Sequence, residues 1–343
     1  PQEIQPTIDT QKALLLVLLA VLFAGAAFAL TAGSYDLSLA KTFEILKVKI
    51  FGGDDADLSK LHTVIVWKIR SPRILLAILA GISFSVSGAS YQACFRNPLV
   101  EPFILGVSAG AAFGAALGIV FPSIFHSVQI SAFIGAFVAV SLSYSISRTR
   151  GRSPVIALVI SGVVIASFFS ALVSLLKYVA PDAKLREITF WVMGGFYYAT
   201  WNDILLAAPV ALGGLALVCF LAWKLNILSM GDEEARSLGV NPELYRFLFI
   251  ITTTLMTALT VSQVGIIAWV GLMAPHASRM IFGADNTYVV PAGALIGAIF
   301  LLLCDTLART ISGSEIPVGI LTSIIGAPFL VYLLRSKGKQ IYG

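Results

Sequence analysis

The sequence predicts an all-α protein that crosses a membrane about ten times. Hydrophobic residues make up 58% of the 343 residues and charged residues only 12%, and the mean hydropathy is +0.91. Soluble globular domains carry about a quarter charged residues, so this composition excludes that class. The charges are also unevenly spread, because eight windows contain no Asp, Glu, Lys or Arg. A spanning helix needs about 20 apolar residues, and every window is long enough or nearly so.

The charge-free windows account for ten helices in chain order. The window 102–147 must hold two, which we expect to separate around Pro122 and His126. The window 247–278 is too long for one helix, and the break is expected at the SQVG of 262–265. An even number of spans places both termini on one side. The six windows that fit one helix each are 13–35, 74–95, 153–176, 204–223, 286–304 and 316–334.

The polar segments predict the topology. No polar stretch is long enough to build its own core, so residues 1–343 are expected to form a single transmembrane domain. The longest, 36–73, is read as an external loop with a short helix and the lead-in to the second span. Basic residues in 147–153 and in the tail 335–339 indicate that this side, with both termini, is cytoplasmic. No small-residue cleavage pattern follows the first apolar window, which therefore reads as a span and not as a signal peptide.

The composition predicts no metal site and no nucleic-acid partner. Cys94, Cys219 and Cys304 lie in or beside apolar windows, where cysteine behaves as a small buried hydrophobe. The three histidines are isolated from one another in the sequence. The net charge of +5 is modest and reflects the membrane topology. A G-x-x-x-x-G-K-[ST] phosphate-binding loop is absent from the sequence.

Glycines repeat every four residues in the stretch GVSAGAAFGAALG. On a helix this spacing makes a groove along one face, into which a second helix backbone fits closely. Tight helix packing is the simpler interpretation, and a groove beside a substrate path is the alternative. The glycines are Gly106, Gly110, Gly114 and Gly118.

The turn CFRNPLVEPF, residues 94–103, separates two apolar helices. Pro98 and Pro102 end one helix and begin the next. Arg96 and Glu101 bring charges to the membrane edge, where an isolated ion is costly. Either the two residues form an ion pair in a tight turn, or the turn is a constriction at the end of a transport path.

An acidic island, GDEEARSLGVNPELYR at 231–246, stands between two apolar runs. Asp232 is expected to cap a first helical turn, and Gly239 to end that helix in the left-handed conformation. Asn241 and Pro242 then read as the N-cap and first residue of a second short helix. The span count places the island in the cytoplasm, either as a solvated connector or as a docking surface for a partner protein.

Five ordered stretches resemble the permease subunits of type II ATP-binding-cassette importers, the FecCD-like family. Together they extend over nearly the whole chain. They are RSPRILLAILAGISFSVSGASYQACFRNPLVEPFILGVSAGA, FWVMGGFYYATW, LNILSMGDEEARSLGV, VGIIAWVGLMAPHASRMIFG and EIPVGILTSIIGAPFLVYLL.

The resemblance implies a homodimer of ten-helix subunits around a central path, in a prokaryotic cytoplasmic membrane. Its implied partners are a second copy of the chain, two ATPase subunits, membrane lipids and a periplasmic or lipid-anchored substrate-binding protein. ATP and Mg²⁺ belong to the ATPase subunits, so this chain is expected to bind no cofactor and to catalyse no reaction. The family's substrates are iron–siderophore complexes, haem, cobalamin and, in some members, molybdate or tungstate.

The resemblance also assigns three groups of residues by position. Arg70, Arg73 and Arg309 match arginines that receive acidic residues of the binding protein. Asn97, Leu99, Pro154 and Val155 match the cytoplasmic gate, although Pro154 and Val155 replace small hydroxyl residues that the family can carry there. The coupling element that enters the ATPase subunit is Gly231, Asp232, Glu233, Glu234, Ala235, Arg236, Ser237, Leu238 and Gly239.

Two other classes of function are weighed against the importer. An ion-coupled secondary transporter is expected to carry ionisable residues at mid-membrane, and the charge-free windows offer none except Glu101 at the edge of one of them. A membrane-embedded enzyme would need a cluster of His, Asp, Glu or Cys, and the sequence pattern shows none. The FRNPL turn leans toward iron-chelate substrates, but the specificity is expected mainly in the separate binding protein.

Overall fold

The computed structural model describes residues 8–33, 35, 37–53, 59–148, 154–311 and 315–341, and every regular element in these ranges is helical. A π-helical segment, Val64–Arg70, joins α3 to α4. The α-helices are α1 (Ile8–Thr31), α2 (Leu39–Phe51), α3 (Lys60–Thr63), α4 (Ser71–Phe95), α5 (Val107–Val120), α6 (Val128–Ser147), α7 (Val155–Val179), α8 (Asp182–Met193), α9 (Trp201–Phe220), α10 (Ala222–Met230), α11 (Asp232–Ser237), α12 (Pro242–Val264), α13 (Val270–Phe282), α14 (Asn286–Ala308) and α15 (Val318–Ile341).

The predicted all-α membrane fold is confirmed. Within the described residues, seven helical stretches are long and apolar enough to span a membrane: α1, the continuous helix Lys60–Phe95, α6, α7, α9, α12 and α14. Val107–Val120 and Val318–Tyr332 are shorter apolar helices, and α13 has 13 residues. Each of the ten predicted spans coincides with one of these helices. Whether all ten cross the bilayer remains a prediction.

Both predicted helix breaks lie where the sequence placed them. The window 102–147 divides between α5 and α6, and the intervening turn holds Pro122 and His126. In the second long window α12 ends at Val264, followed by Gly265 at φ 72°. A Cβ added to Gly265 would lie 2.2 Å from the Trp191 carbonyl oxygen. Close backbone approach and a positive φ therefore both require glycine at this break.

Helix α4 is the centre of the bundle, with 23 of its 25 residues buried. It packs against α9, α12, α13 and α14. Two glycines of α4 allow this close packing. A Cβ added to Gly81 would lie 2.3 Å from the Gly297 carbonyl oxygen. A Cβ added to Gly88 would lie 1.8 Å from the Gly271 carbonyl oxygen. Such backbone-to-backbone contact is how helices associate in a medium that supplies no hydrophobic drive.

The glycine stripe is a packing surface, as the simpler interpretation predicted, but it is one residue shorter than expected. A Cβ added to Gly110 or Gly114 would lie 2.3 or 2.0 Å from a carbonyl oxygen of α6. Gly118 likewise faces α6. Gly106 lies outside the helix, as the residue preceding α5, with φ 86°. It serves the turn into α5 because glycine adopts that φ without steric cost.

Candidate functional site

The acidic island folds as a short helix clamped at both ends. Helix α11 ends in a Schellman motif: the Gly239 amide donates to the Arg236 carbonyl at 3.0 Å and the Val240 amide to the Ala235 carbonyl at 2.8 Å. Gly239 has φ 74°, as predicted. Asn241 accepts from the amides of Glu243 and Leu244, which confirms the predicted N-cap. The helix that Asn241 begins is not short, however, because it is the 23-residue α12.

The role predicted for Asp232 as a helix cap is wrong. The N-cap of α11 is Gly231, which has no side chain to cap the helix. The Asp232 carboxylate instead accepts from Arg246 at 2.5 Å. Arg246 is only 1% exposed, and a buried guanidinium requires a counter-charge. Compensation of Arg246 therefore takes precedence over a local cap, and the ion pair fastens α11 to the first turns of α12.

Helix α11 and the turn after it project one polar surface from the chain. Ala235 and Val240 are buried and hold the element against its neighbours. Leu238 is 58% exposed. This is a preorganised projection, since one face is anchored while the opposite face remains free for contact. Its exposed residues are Glu233, Glu234, Arg236, Ser237, Leu238 and Gly239.

A second polar clamp, which sequence reasoning missed, joins α10 to the start of α14. Asn226 donates to Asp285 at 2.7 Å and accepts from the Asn286 amide at 2.8 Å. Asp285 is also the N-cap of α14 and accepts from the Thr287 amide. Desolvation alone would raise the pKa of Asp285, but hydrogen bonds from Thr287 and Asn226 lower it below its usual value. Asp285 was recognisable as a helix N-cap, whereas its contact with Asn226 was not.

Arg73 and Arg309 converge at the ends of α4 and α14. Arg73 donates from Nε to Asp305 at 2.8 Å and from Nη1 to Glu315 at 2.7 Å. Arg309 lies 3.6 Å from the same Asp305. The result is an internal ion-pair network that joins two helices and the segment leading into α15.

Arg70 lies beside this network and is satisfied by backbone oxygens. It donates to the carbonyls of Leu30 and Thr31, each at 2.8 Å, and to that of Tyr35 at 2.6 Å. These acceptors belong to the end of α1 and the turn after it, so Arg70 ties α1 to the start of α4.

Arg70, Arg73 and Arg309 are buried, and groups of the same chain already pair with each of them. They are 5%, 4% and 6% exposed. The sequence showed arginines beside helix ends, but only the packed chain shows that carboxylates and carbonyls of distant segments already occupy them. Their role in docking a binding protein is a separate question and stays a prediction.

The predicted gate residues lie at the ends of α4 and α7. Asn97 and Leu99 are exposed in the turn after α4, and Asn97 accepts from the Leu99 amide at 2.9 Å. Pro154 is exposed and precedes α7, while Val155 is half-buried against the main core. The gate is expected between two copies, so its assignment stays a prediction. The basic residues at 149–153, which support the predicted orientation, lie outside the described residues.

The local ion pair considered for the turn 94–103 does not form. Among the described ion pairs none joins Arg96 to Glu101. Arg96 is exposed and adopts φ 51° as the residue after α4. Burial raises the pKa of Glu101, and a backbone hydrogen bond at Trp269 opposes the rise. In this turn Arg96 is therefore exposed to solvent, whereas Glu101 is partly buried.

A shallow open groove of about 390 Å³ lies between the end of α8, the segment after α12 and the start of α15. Sequence reasoning missed it because its residues come from three separate regions. Ser323 supplies the only side-chain hydroxyl group in its lining. The other lining residues are Val192, Met193, Ile266, Ala268, Gly319, Ile320 and Ile324.

Comparison with known proteins identifies the family. The FecCD transport family matches residues 16–336. A probable iron chelatin transport system permease protein of Helicobacter pylori is 40% identical over 309 residues, covering 89% of this chain and 93% of the relative. The molybdate import system permease protein of Haemophilus influenzae is 36% identical over 336 residues, covering 97% and 99%.

A solved structure supports the same assignment. It is described as an inward-facing conformation of a metal-chelate type ABC transporter. The TM-score is 0.84 at 35% identity, with 94% of this chain and 99% of that chain covered. The chain belongs to the FecCD transport family and is an integral membrane permease subunit of an ABC importer.

Proposed function

We propose that two copies of this chain form the path through which an ATP-driven importer moves a metal chelate into the cytoplasm. Two ATPase subunits, which bind ATP and Mg²⁺, dock on the cytoplasmic side. A substrate-binding protein docks on the opposite side. Both termini are cytoplasmic, and the membrane is the prokaryotic inner membrane. The chain itself binds no cofactor and hydrolyses nothing.

The observation that carries this proposal is the clamped projection of α11. Its exposed acidic face is fastened to α12 by Asp232 and Arg246, and α10 is fastened to α14 by Asn226. A force applied to α11 by a moving ATPase subunit therefore reaches two spanning helices through charged and polar contacts. A solvated connector would need neither clamp.

The relatives favour an iron–siderophore, haem or cobalamin as the substrate, because permeases named for iron chelatin, cobalamin and hemin are among them. Molybdate or tungstate is the second candidate, because a relative of 36% identity is a molybdate import permease. Uptake of the four classes of substrate by one reconstituted importer, measured side by side, decides between them.

An ion-coupled secondary transporter is the alternative from another class. The residue to consider is Asp305, which is 0% exposed near the end of a spanning helix. Arg73 and Arg309 both pair with Asp305, and a carboxylate held between two guanidinium groups is a poor carrier of protons. Uptake driven by a proton or sodium gradient without ATP would contradict the importer.

The coupling role is tested with the double variant Glu233→Lys, Glu234→Lys in proteoliposomes that contain the ATPase subunits. Both side chains are exposed, so the dimer is expected to stay intact. Substrate uptake should be lost while ATP hydrolysis continues. The matched control is Glu187→Lys in α8, which reverses an exposed acid elsewhere. Normal uptake by the double variant would remove the coupling role from α11.

The gate is tested by cysteines introduced at Asn97 and Val155. If these positions close the cytoplasmic end of the path, cross-links form between the two protomers in one nucleotide state of the ATPase subunits. Equal cross-linking in every nucleotide state would assign the gate to other residues.

The docking role of the arginines rests on one feature of Arg73. Its Nη2 has no hydrogen-bond partner among the described residues, so the two N–H donors of this atom are unused. Because the atom is buried, a carboxylate of the binding protein reaches it only after a local rearrangement. Docking of that protein is expected to weaken in an Arg73→Gln variant, mainly through slower association at low salt. Unchanged association at low ionic strength would contradict the role.

A further inference from the structure

Helix α2 has two apolar faces, and the rest of the chain covers only one of them. The covered face carries Ile45, which is 2% exposed and packs with Leu37 and Val66 in a small core. This core fixes α2 against the π-helical segment Val64–Arg70. The orientation of α2 is therefore determined by the protein, and its other side is held outward.

The outward face carries a stripe of large apolar side chains. Leu39, Phe43 and Ile50 are 64%, 71% and 60% exposed. Their spacing of four and seven residues places them on one side of the helix. Leaving such a side chain in water is unfavourable relative to burying it in an apolar environment. Three in line form a surface that requires an apolar environment.

The charges beside the stripe indicate which environment this is. Lys47 and Lys49 lie on either side of the stripe, whereas Lys41 and the single acid of α2, Glu44, lie on the other side of the helix. A short helix with an apolar stripe flanked by lysines is typical of helices that lie in the interface of a bilayer, where lysines reach lipid phosphates. An acidic-rimmed stripe would have favoured a basic protein partner instead.

The position of α2 in the chain places it near lipid. It begins eight residues after the end of α1, and only 11% of the most apolar window of α1 is buried within the chain. The exposed surface of α1 includes Phe23 and Phe28, at 68% and 65%. Because α1 is a spanning helix, its surface faces acyl chains, and α2 follows directly at its membrane end.

We propose that α2 is an interfacial anchor that lies in the headgroup region of the bilayer on the side where α1 ends. Leu39, Phe43 and Ile50 point toward the acyl chains, and the lysines contact anionic phospholipid headgroups. Under the orientation proposed above this is the outer leaflet. This proposal depends only on the membrane-spanning fold, so its outcome is independent of the proposed substrate and of the proposed ATP coupling.

The test measures the depth of nitroxide labels in liposomes of phosphatidylcholine and phosphatidylglycerol. Labels are placed in Phe43→Cys, Ile50→Cys and Glu44→Cys, each with the three native cysteines replaced by serine. Collision with oxygen reports lipid, and collision with a water-soluble nickel complex reports solvent. Labels at Phe23 and at Tyr198, which is 88% exposed in the turn before α9, supply the lipid and water references.

Labels at 43 and 50 are expected to shift toward the lipid reference, while the label at 44 stays near the water reference. Water-like values at all three positions would overturn the proposal. Shielding of 43 and 50 that appears only on adding a substrate-binding protein, or only at high protein-to-lipid ratio, would assign the stripe to that protein or to a second copy.

A second measurement keeps the test independent of the labels' effect on α2. In a Lys47→Gln variant the label at 43 should shift toward water in liposomes that contain phosphatidylglycerol. With all lysines present, liposomes without phosphatidylglycerol should shift the label at 43 in the same direction. A depth that responds to neither change would overturn the role of the lysines.

Discussion

Arg73 donates from Nε to Asp305 at 2.8 Å, although 231 residues of sequence separate the two. Their side chains are 5% and 0% exposed. A buried pair of this kind stabilises little relative to an apolar pair of the same shape, but removal of one partner leaves a charge buried without compensation. This asymmetry leads to the first prediction.

Asp305→Asn should lower the free energy of unfolding strongly, by about 3–5 kcal/mol, because Arg73 and Arg309 both lose their shared counter-charge. The control is Glu187→Gln, which breaks the exposed Lys184–Glu187 pair at 3.2 Å and should cost no more than about 1 kcal/mol. Thermal unfolding of both variants in detergent measures the difference. Equal melting temperatures would show that Asp305 is dispensable to the network.

Glu315→Gln should strengthen docking of the substrate-binding protein. Glu315 accepts from Nη1 of Arg73 at 2.7 Å and is itself 42% exposed, so it competes with any incoming carboxylate. Removing its charge leaves Arg73 with more positive potential toward the outside. Association and dissociation rates at low salt measure the effect, with Glu187→Gln as a control that makes the same change in net charge. Docking that weakens or stays unchanged would show that Glu315 does not compete.

Gly88→Ala should destabilise the bundle, because the added Cβ would lie 1.8 Å from the Gly271 carbonyl oxygen. Over-packing of this kind costs about 1–3 kcal/mol or more. Gly213→Ala in α9 is the matched control, since nothing lies within 4 Å of its added Cβ, and it should leave stability equal or raise it by about 0.5–1 kcal/mol. The order of the two melting temperatures checks the prediction, and a reversed order would contradict the packing between α4 and α13.

Gly239→Val should reduce substrate uptake per ATP hydrolysed, whereas Gly239→Asn should largely preserve it. Gly239 adopts φ 74°, and nothing lies within 4 Å of an added Cβ, so the penalty comes only from backbone conformation. That penalty is about 1–2 kcal/mol for most residues and smaller for asparagine. Without the Schellman motif, the C-terminal end of α11 would hold the exposed face of the helix less rigidly. Similar coupling ratios in the two variants would show that the Schellman motif is not needed for coupling.

Asp232→Asn should loosen α11 without unfolding the bundle. Arg246 would keep Glu243 at 3.5 Å but lose its shorter ion pair to α11. Hydrogen exchange of the amides at 235–240 should become faster, while exchange at 250–260 within α12 stays slow. Faster exchange along α12 as well would show that Asp232 stabilises the span and not only the projection.

The sequence by itself determined the membrane fold, the two helix breaks, the end of α11 and the start of α12. These features depend on properties that neighbouring residues share, namely the hydrophobicity of a window, the φ that Gly239 and Gly265 adopt, and the capping geometry of Asn241. Such preferences act within a few residues and therefore leave a pattern in the sequence.

Only the tertiary structure decided where the charged side chains go. Asp232 looked like a helix cap and instead compensates Arg246. Arg73 and Arg309 stand at helix ends far apart in the sequence, and they share Asp305 in the folded chain. In each case a buried ion requires a counter-charge wherever packing brings one, and the packing of α4 against α14 has no trace in the local sequence. The same holds for α2, because which of its two apolar faces stays uncovered depends on the position of Val66 in the folded chain.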